Sequence, residues 1–376
     1  MRKLGLYIHI PFCVKKCNYC DFLSAPATRQ VQKSYMDVLQ KEIVKKAIAY
    51  KDCIVDTVFI GGGTPTSVPY EALVQVIEAM KKNFSLTKDC EISMECNPGT
   101  VTKKSLFAYR AAGVNRLSIG LQSTDNELLA YLGRIHTYEQ FLETYQMARE
   151  AGFDNINVDI MSALPNQTLT QYEDTLLKIV KLGVEHISAY SLIVEEGTPF
   201  YDLYEKDNLS LPDEDVERQM YYRTKEILEA EGYFRYEISS YAKKGYECKH
   251  NLRYWERKDY IGFGLGAASL YQNTRYKNID NLNNYLKEDT YMQKTEVENL
   301  SAEDCMEEFM FLGLRKIDGV SKDDFFSCFG VSMEDKYGQI LLKLSQNGLI
   351  EDTRGKVKLT EYGLDVSNVV LAEFLF

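Results

Sequence analysis

Four times in the first 235 residues, a stretch with helical periodicity stops at a glycine and a β-rich run begins at once. Gly113 precedes Val-Asn-Arg-Leu-Ser-Ile, Gly152 precedes Phe-Asp-Asn-Ile-Asn-Val-Asp-Ile, Gly183 precedes Val-Glu-His-Ile-Ser-Ala-Tyr, and Gly232 precedes Tyr-Phe-Arg-Tyr-Glu-Ile. Glycine ends a helix by taking the left-handed conformation, which costs it no Cβ clash. Repetition of that ending marks the joint of a βα unit. Strands are expected at 4–10, 56–60, 91–96, 116–121, 155–160 and 186–192. Between them, Met36, Leu39, Ile43 and Ala47 keep helical spacing, as do Leu73, Val76, Ile77 and Met80. Such alternation predicts an α/β fold with a parallel sheet, either a barrel or a doubly wound sheet. Six units are too few for a closed eight-fold barrel.

Beyond Pro212 an acidic helix at 213–231 closes this region, and residues 236–298 are rich in Tyr, Asn and Gly without a clear period. From about Leu300 the pattern is helical, and a hairpin turning at Arg354-Gly355 follows Gly348. Three parts are therefore expected: a core at 1–232, an extension at 233–298, and an α+β, winged-helix-like domain at 299–376. Winged helices often bind DNA, but residues 300–376 carry eight Lys and Arg against fourteen Asp and Glu, and the whole chain has a net charge of −11. That sign opposes a phosphate-tracking surface, so nucleic acid is not expected as a partner. No apolar run reaches the roughly 18 residues that span a bilayer. Leu4 to Phe12 is interrupted by His9 and Pro11 and no small-residue cleavage site follows, so a signal peptide is not read and a cytoplasmic location is expected.

Three of nine cysteines fall within eight residues, as Cys13-x₃-Cys17-x₂-Cys20. Tight spacing in such a chain points to metal or redox chemistry rather than to disulfides. A structural zinc site takes four protein ligands, usually in two separated pairs, and no second pair lies nearby. Three thiolates on one loop suit an iron–sulfur cubane with one iron lacking a protein ligand, although zinc stays open on residue chemistry alone. The run Gly61-Gly-Gly-Thr-Pro-Thr66 follows the second strand. It lacks the spacing of a dinucleotide fingerprint and the Gly-Lys-Ser/Thr of a phosphate loop. Glycines there let the backbone approach a ligand closely. Glu95, Gln122 and Asp159 sit at or near the ends of later strands, with Arg134 after the fourth. Residues at the carboxyl ends of barrel strands face one shared mouth.

Cys-x₃-Cys-x₂-Cys after a first strand, with Tyr19 just before the last cysteine, resembles the signature of radical S-adenosylmethionine enzymes. The run from Tyr7-Ile-His-Ile-Pro-Phe to Cys20, together with the glycine run, is similar to the oxygen-independent coproporphyrinogen III oxidase family. The resemblance extends from Tyr7 into the tail. It implies a partial, open (β/α)₆ barrel, with Cys13, Cys17 and Cys20 holding a 4Fe–4S cluster. It implies that Tyr7, Tyr19, Gly62, Gly63, Thr64, Glu95, Gln122, Arg134 and Asp159 hold S-adenosylmethionine. The implied chemistry is reductive cleavage of that cofactor, with a flavodoxin or ferredoxin as electron donor.

Two departures choose between branches of the family. The oxidases carry a further cysteine two residues after the third, where this chain has Phe22, and they have more sequence ahead of the first strand. The run His250-Asn-Leu-Arg-Tyr-Trp255 resembles the mark of the haem chaperone branch, whose members bind haem and pass it to an acceptor haem protein. An imidazole is a good axial ligand for haem iron, and Tyr and Trp offer flat apolar area. His250 is the expected haem ligand, with Cys248 as the alternative; a lone His among aromatics is also a common core residue. The intact cofactor set keeps an oxidase, or another porphyrin-modifying radical enzyme, open beside the chaperone.

Overall fold

The computed structural model describes residues 1–287 and 290–375. Six strands, β1 (Arg2–Ile10), β2 (Cys53–Gly62), β3 (Leu86–Cys96), β4 (Arg116–Gln122), β5 (Ile156–Ser162) and β6 (His186–Ser191), lie in sequence order and pair in parallel. Helices cross between them, as the βα pattern requires. The glycine joints behave as expected: Gly113 and Gly183 cap helices with φ of 112° and 71°. Gly152 and Gly232 stand just past helix ends with φ of 86° and 80°. Every residue of β4 is buried, so it runs through the centre with apolar Leu117, Ile119 and Leu121 against the helices.

The sheet does not close. Residues expected to form a patternless extension continue it at both edges. β7 (Phe234–Glu237) and β8 (Ser240–Ala242) form a hairpin whose β8 pairs antiparallel with β6. At the other edge β9 (Tyr260–Phe263) pairs in parallel with β1, and β10 (Ala268–Tyr271), β11 (Thr274–Asn278) and β12 (Lys294–Asn299) follow. The fourth glycine joint therefore differs from the other three. The strand after Gly232 is separated from β6 by β8 rather than pairing with it directly. Strands of three to six residues with β8 buried throughout leave no two-residue alternation to read.

A buried polar knot fastens the β9–β11 extension to the first helix (Arg29–Ala47). Glu42, fully buried, accepts hydrogen bonds from Gly264 N (2.9 Å), Asn278 Nδ2 (2.8 Å) and the Tyr285 hydroxyl (2.6 Å), and pairs with Lys46 at 2.7 Å. Lys46 in turn donates to Asn278 Oδ1 at 2.7 Å. The tail has its own core of Met310, Phe325, Tyr337, Leu341 and Phe374. Three of its helices (Ala302–Gly313, Lys322–Phe329, Met333–Gln346) pack with a three-stranded sheet that includes the expected hairpin, Ile350–Asp352 with Lys356–Leu359. No helix among the described residues is long and apolar enough to cross a membrane.

Removing one member of a buried, hydrogen-bonded ion pair strands its partner. Glu42→Ala is expected to lower the unfolding free energy by about 3–5 kcal/mol. Lys103→Ala, which breaks an exposed pair with Glu150, should leave the urea midpoint in place. Chemical denaturation of the two variants checks this.

Candidate functional site

Along each of the six strands, alternate side chains point into the lumen, and many of them are polar. Tyr7, Glu95, Arg116, Gln122, Asp159 and Tyr190 are among those lining a cavity of about 580 Å³. The same cavity is lined by Cys13, Cys17 and Cys20 and by Gly62, Gly63, Thr64, Tyr19 and Arg134. The fold thus gathers every residue expected to hold the cluster or the cofactor.

The cysteine loop is pinned at both flanks. Cys13 N donates to Ala25 O (3.3 Å), Ala25 N to Pro11 O (3.0 Å), and Asn18 N to Leu132 O (2.9 Å). All three thiols are half-buried and free. Burial raises the Cys20 thiol, with smaller upward contributions from Cys17 and Cys13. The thiols are not gathered closely enough among the described residues to share one metal ion. A cubane, which carries each thiolate on its own iron, does not require that.

A chain of hydrogen bonds joins two of these cysteines through residues of the loops that follow β2, β3 and the helix Asn126–Tyr131. Thr64 Oγ1 donates to Cys13 Sγ (3.6 Å) and accepts from Asn97 Nδ2 (2.7 Å). Asn97 Oδ1 accepts from Arg134 Nη2 (2.7 Å), which also reaches Gly120 O (2.5 Å), and Arg134 Nη1 donates to Cys17 Sγ (3.7 Å). Asn97 was missed in the sequence. Its signal is its place directly after β3, in Glu95-Cys-Asn97-Pro, two residues past Glu95.

The glycine run is a cradle in the steric sense. A Cβ on Gly63 would lie 2.7 Å from Phe12 O and 2.9 Å from Cys13 Sγ, and one on Gly61 would lie 2.8 Å from Glu95 Oε1. Gly62 takes φ of 119° and its N–H donates to Glu95 Oε2 at 3.0 Å. Enclosure away from bulk water, and then the charge of Asp159, push the Glu95 carboxyl up to about 8. Asp159 is also raised by its enclosure, although Asn157 (2.7 Å) and Ser118 (3.2 Å) donate to it. The Arg116 guanidinium offsets part of the rise at Asp159, but no ion pair reaches either carboxyl among the described residues, so the pair can take up a further positive charge. Gln122 has a positive φ of 76° at the end of β4, and its Oε1 accepts from the Tyr190 hydroxyl at 3.1 Å. The Tyr7 hydroxyl meets His9 Nδ1 at 2.9 Å; His9 Nε2 faces the carbonyl of Leu23, so Nε2 carries the proton and Tyr7 donates. Tyr19 packs on the apolar group of Leu128, Leu132, Met161, Leu164 and Phe200.

The run His250–Trp255 forms most of a short helix, Lys249–Trp255, lodged against β2 on one side and the helix Ala302–Gly313 on the other. Glu91 of β3 caps its start, accepting from Lys249 N (3.0 Å) and His250 N (3.1 Å). Asn251, Tyr254 and Trp255 face the cavity. His250 lies behind Tyr254 and is fully buried. Its Nδ1 meets Thr57 Oγ1 at 3.0 Å, its Nε2 meets the Tyr254 hydroxyl at 2.9 Å, and its ring stacks on Phe59. Burial, then the charges of Arg253 and Arg116, push it down to about 3, so it stays neutral. Cys248 is fully buried with its thiol pushed up to about 12, chiefly by burial, and donates weakly to Glu91 Oε1 at 3.7 Å.

With this geometry in hand, comparison with known proteins is direct. Residues 7–179 match the family model of the radical SAM superfamily, and residues 300–366 match that of the HemN C-terminal domain. The chain is 38% identical over 374 residues to a protein named heme chaperone HemW from Bacillus subtilis, with 98% of each chain covered. It is 35% identical to a protein of the same name from Lactococcus lactis, covering 98% of this chain and 96% of that one. Among solved structures, the coproporphyrinogen III oxidase HemN of Escherichia coli, described as a radical SAM enzyme, superposes with a TM-score of 0.87 at 24% identity. That superposition covers 99% of this chain and 90% of the other. It bears out the open barrel.

The raised carboxyl gives a test that needs no ligand. A carboxyl whose folded pKa lies above its unfolded value stabilises the fold below the unfolded pKa and loses that stabilisation as pH rises through the folded one. For Glu95 the window runs from 4.5 to about 8. In cofactor-free protein, the melting temperature of Glu95→Gln minus that of wild type should grow across this window and then level off. Parallel curves would show that Glu95 ionises normally.

Proposed function

The chain belongs to the HemW family of haem chaperones within the radical SAM superfamily, and on that footing we propose that it binds haem and passes it to an acceptor haem protein. It carries a 4Fe–4S cluster and S-adenosylmethionine as cofactors. When bound, these supply one-electron chemistry at a sulfonium, which a flavodoxin- or ferredoxin-type donor would feed.

We assign Cys13, Cys17 and Cys20 as the cluster ligands, leaving one iron for the amine and carboxylate of S-adenosylmethionine. Tyr7, Tyr19, Gly62, Gly63, Thr64, Glu95, Gln122, Arg134 and Asp159 hold that cofactor. What supports this is the fit of the donor set. Glycine cradle and thiols adjoin, Cβ atoms would fill the space at Gly61 and Gly63, and the two carboxyls Glu95 and Asp159 are both raised, with no ion pair to either among the described residues. Asn97 and Arg134 keep the cysteine loop and the glycine run in register with each other.

The observation that carries the haem reading is that the His250 helix shares a cavity with the cluster loop. The imidazole is neutral, which is the ligating form. Its Nε2 is held by the Tyr254 hydroxyl, so ligation at His250 replaces that hydrogen bond. Cys248, protonated and turned to Glu91, is the weaker ligand. The oxidase reading is less well supported. Phe22, exposed at the cavity mouth, stands where those enzymes carry their additional cysteine.

Anaerobic titration of cluster-reconstituted protein with haem, followed optically, tests the reading. Wild type should saturate with an axially ligated spectrum, and His250→Ala should lose or shift it. Weak, non-saturating uptake that is the same in both proteins contradicts the reading and directs attention to coproporphyrinogen decarboxylation.

A further inference from the structure

Two donors at one end of the cavity have nothing to donate to. Arg315 Nε and Trp255 Nε1 are both buried without a hydrogen-bond partner, and both residues line the cavity. The Arg315 guanidinium lies 4.4 Å from the centre of the Trp255 ring. Its Nε has no hydrogen-bond partner among the described residues. Glu237 also lines the cavity and is the acidic group that acts on Arg315, yet no ion pair joins them. Burial outweighs that attraction and lowers the Arg315 pKa, as expected of a cation short of counter-charge.

The position is built rather than incidental. Arg315 follows the helix Ala302–Gly313. The backbone of 315–317 runs beside that of 236–238, with Ile238 N donating to Arg315 O and Ile317 N to Tyr236 O, both at 3.1 Å. The backbone is fixed on the strand side and the guanidinium lies over the indole. Such a cation normally has its donors met by a carboxylate, which only accepts and matches a guanidinium fork in plane.

We propose that Arg315, stacked on Trp255, is a carboxylate-binding subsite of the cavity, and that it takes a propionate of the bound haem. The proposal rests on the haem-binding reading above and adds the polar anchor that this reading lacks. Trp255 contributes its ring as a platform and its N–H as a second donor. S-adenosylmethionine also carries a carboxylate, so the shared chemistry is a carboxylate on an apolar or cationic frame. The adjacency to Trp255 and Tyr254 favours haem.

The experiment uses full-length, cluster-reconstituted protein and compares haem with haem dimethyl ester, in which both propionates are blocked. Wild type should bind haem about 10–100-fold more tightly than the ester, the range for a hydrogen bond to a charged group. Arg315→Ala should lose most of this preference, Arg315→Lys should recover part of it, and S-adenosylmethionine affinity should be unchanged in both. Equal wild-type affinity for haem and ester overturns the subsite without needing a folded variant. So does an Arg315→Ala protein that keeps the preference, or one that loses S-adenosylmethionine binding instead. No saturable binding of haem to wild type overturns the underlying haem reading itself, which separates the two failures.

Discussion

Asn97 holds the mouth of the barrel together. Its amide donates to Thr64 beside Cys13 and accepts from Arg134 beside Cys17. A cysteine loop has no regular secondary structure to fix its thiols, so their spacing depends on what they lean against. Here the supports are the ends of β2, β3 and β4, which the parallel sheet already holds in register. The positions of the glycine cradle, the Glu95 carboxyl and the thiols of Cys13 and Cys17 thus follow from one sheet and one bridging amide.

A lumen this polar needs satisfaction below as well as a ligand above. The His250 helix supplies it. Glu91 caps that helix, Thr57 meets His250, and Arg253 pairs with Asp56 while donating to Asp259 O. The helix closes the lower part of an otherwise open barrel and brings Tyr254 and Trp255 into the cavity from below. The tail then lays Arg315 on Trp255. Cysteine loop, His250 helix and tail therefore share one cavity although they lie far apart in sequence.

What could be read from the residues and what could not divides along physical lines. The six core strands were legible because each is introduced by a helix that ends at glycine or by a β-rich run within a strong period. The edge strands β8 to β11 were not, since strands of three to five residues are too short to show an alternation. Cys13, Cys17, Cys20 and the glycine run carry local patterns, and the fold brings them to one cavity as expected. Asn97 has no pattern of its own; only the register of β3 gives it a role. His250 stood out as a residue, yet its burial behind Tyr254 depends on a helix packing between two distant elements. Arg315 is one arginine among many until the tail packs.

We propose that three thiolates hold a cluster whose remaining iron is met by S-adenosylmethionine inside this cavity. Electron paramagnetic resonance of the reduced, reconstituted protein, recorded before and after adding S-adenosylmethionine, tests it most directly. A changed cluster spectrum is expected on addition in wild type, and a weaker response at the same concentration in Asn97→Ala. A cluster spectrum that S-adenosylmethionine leaves untouched in wild type would contradict it.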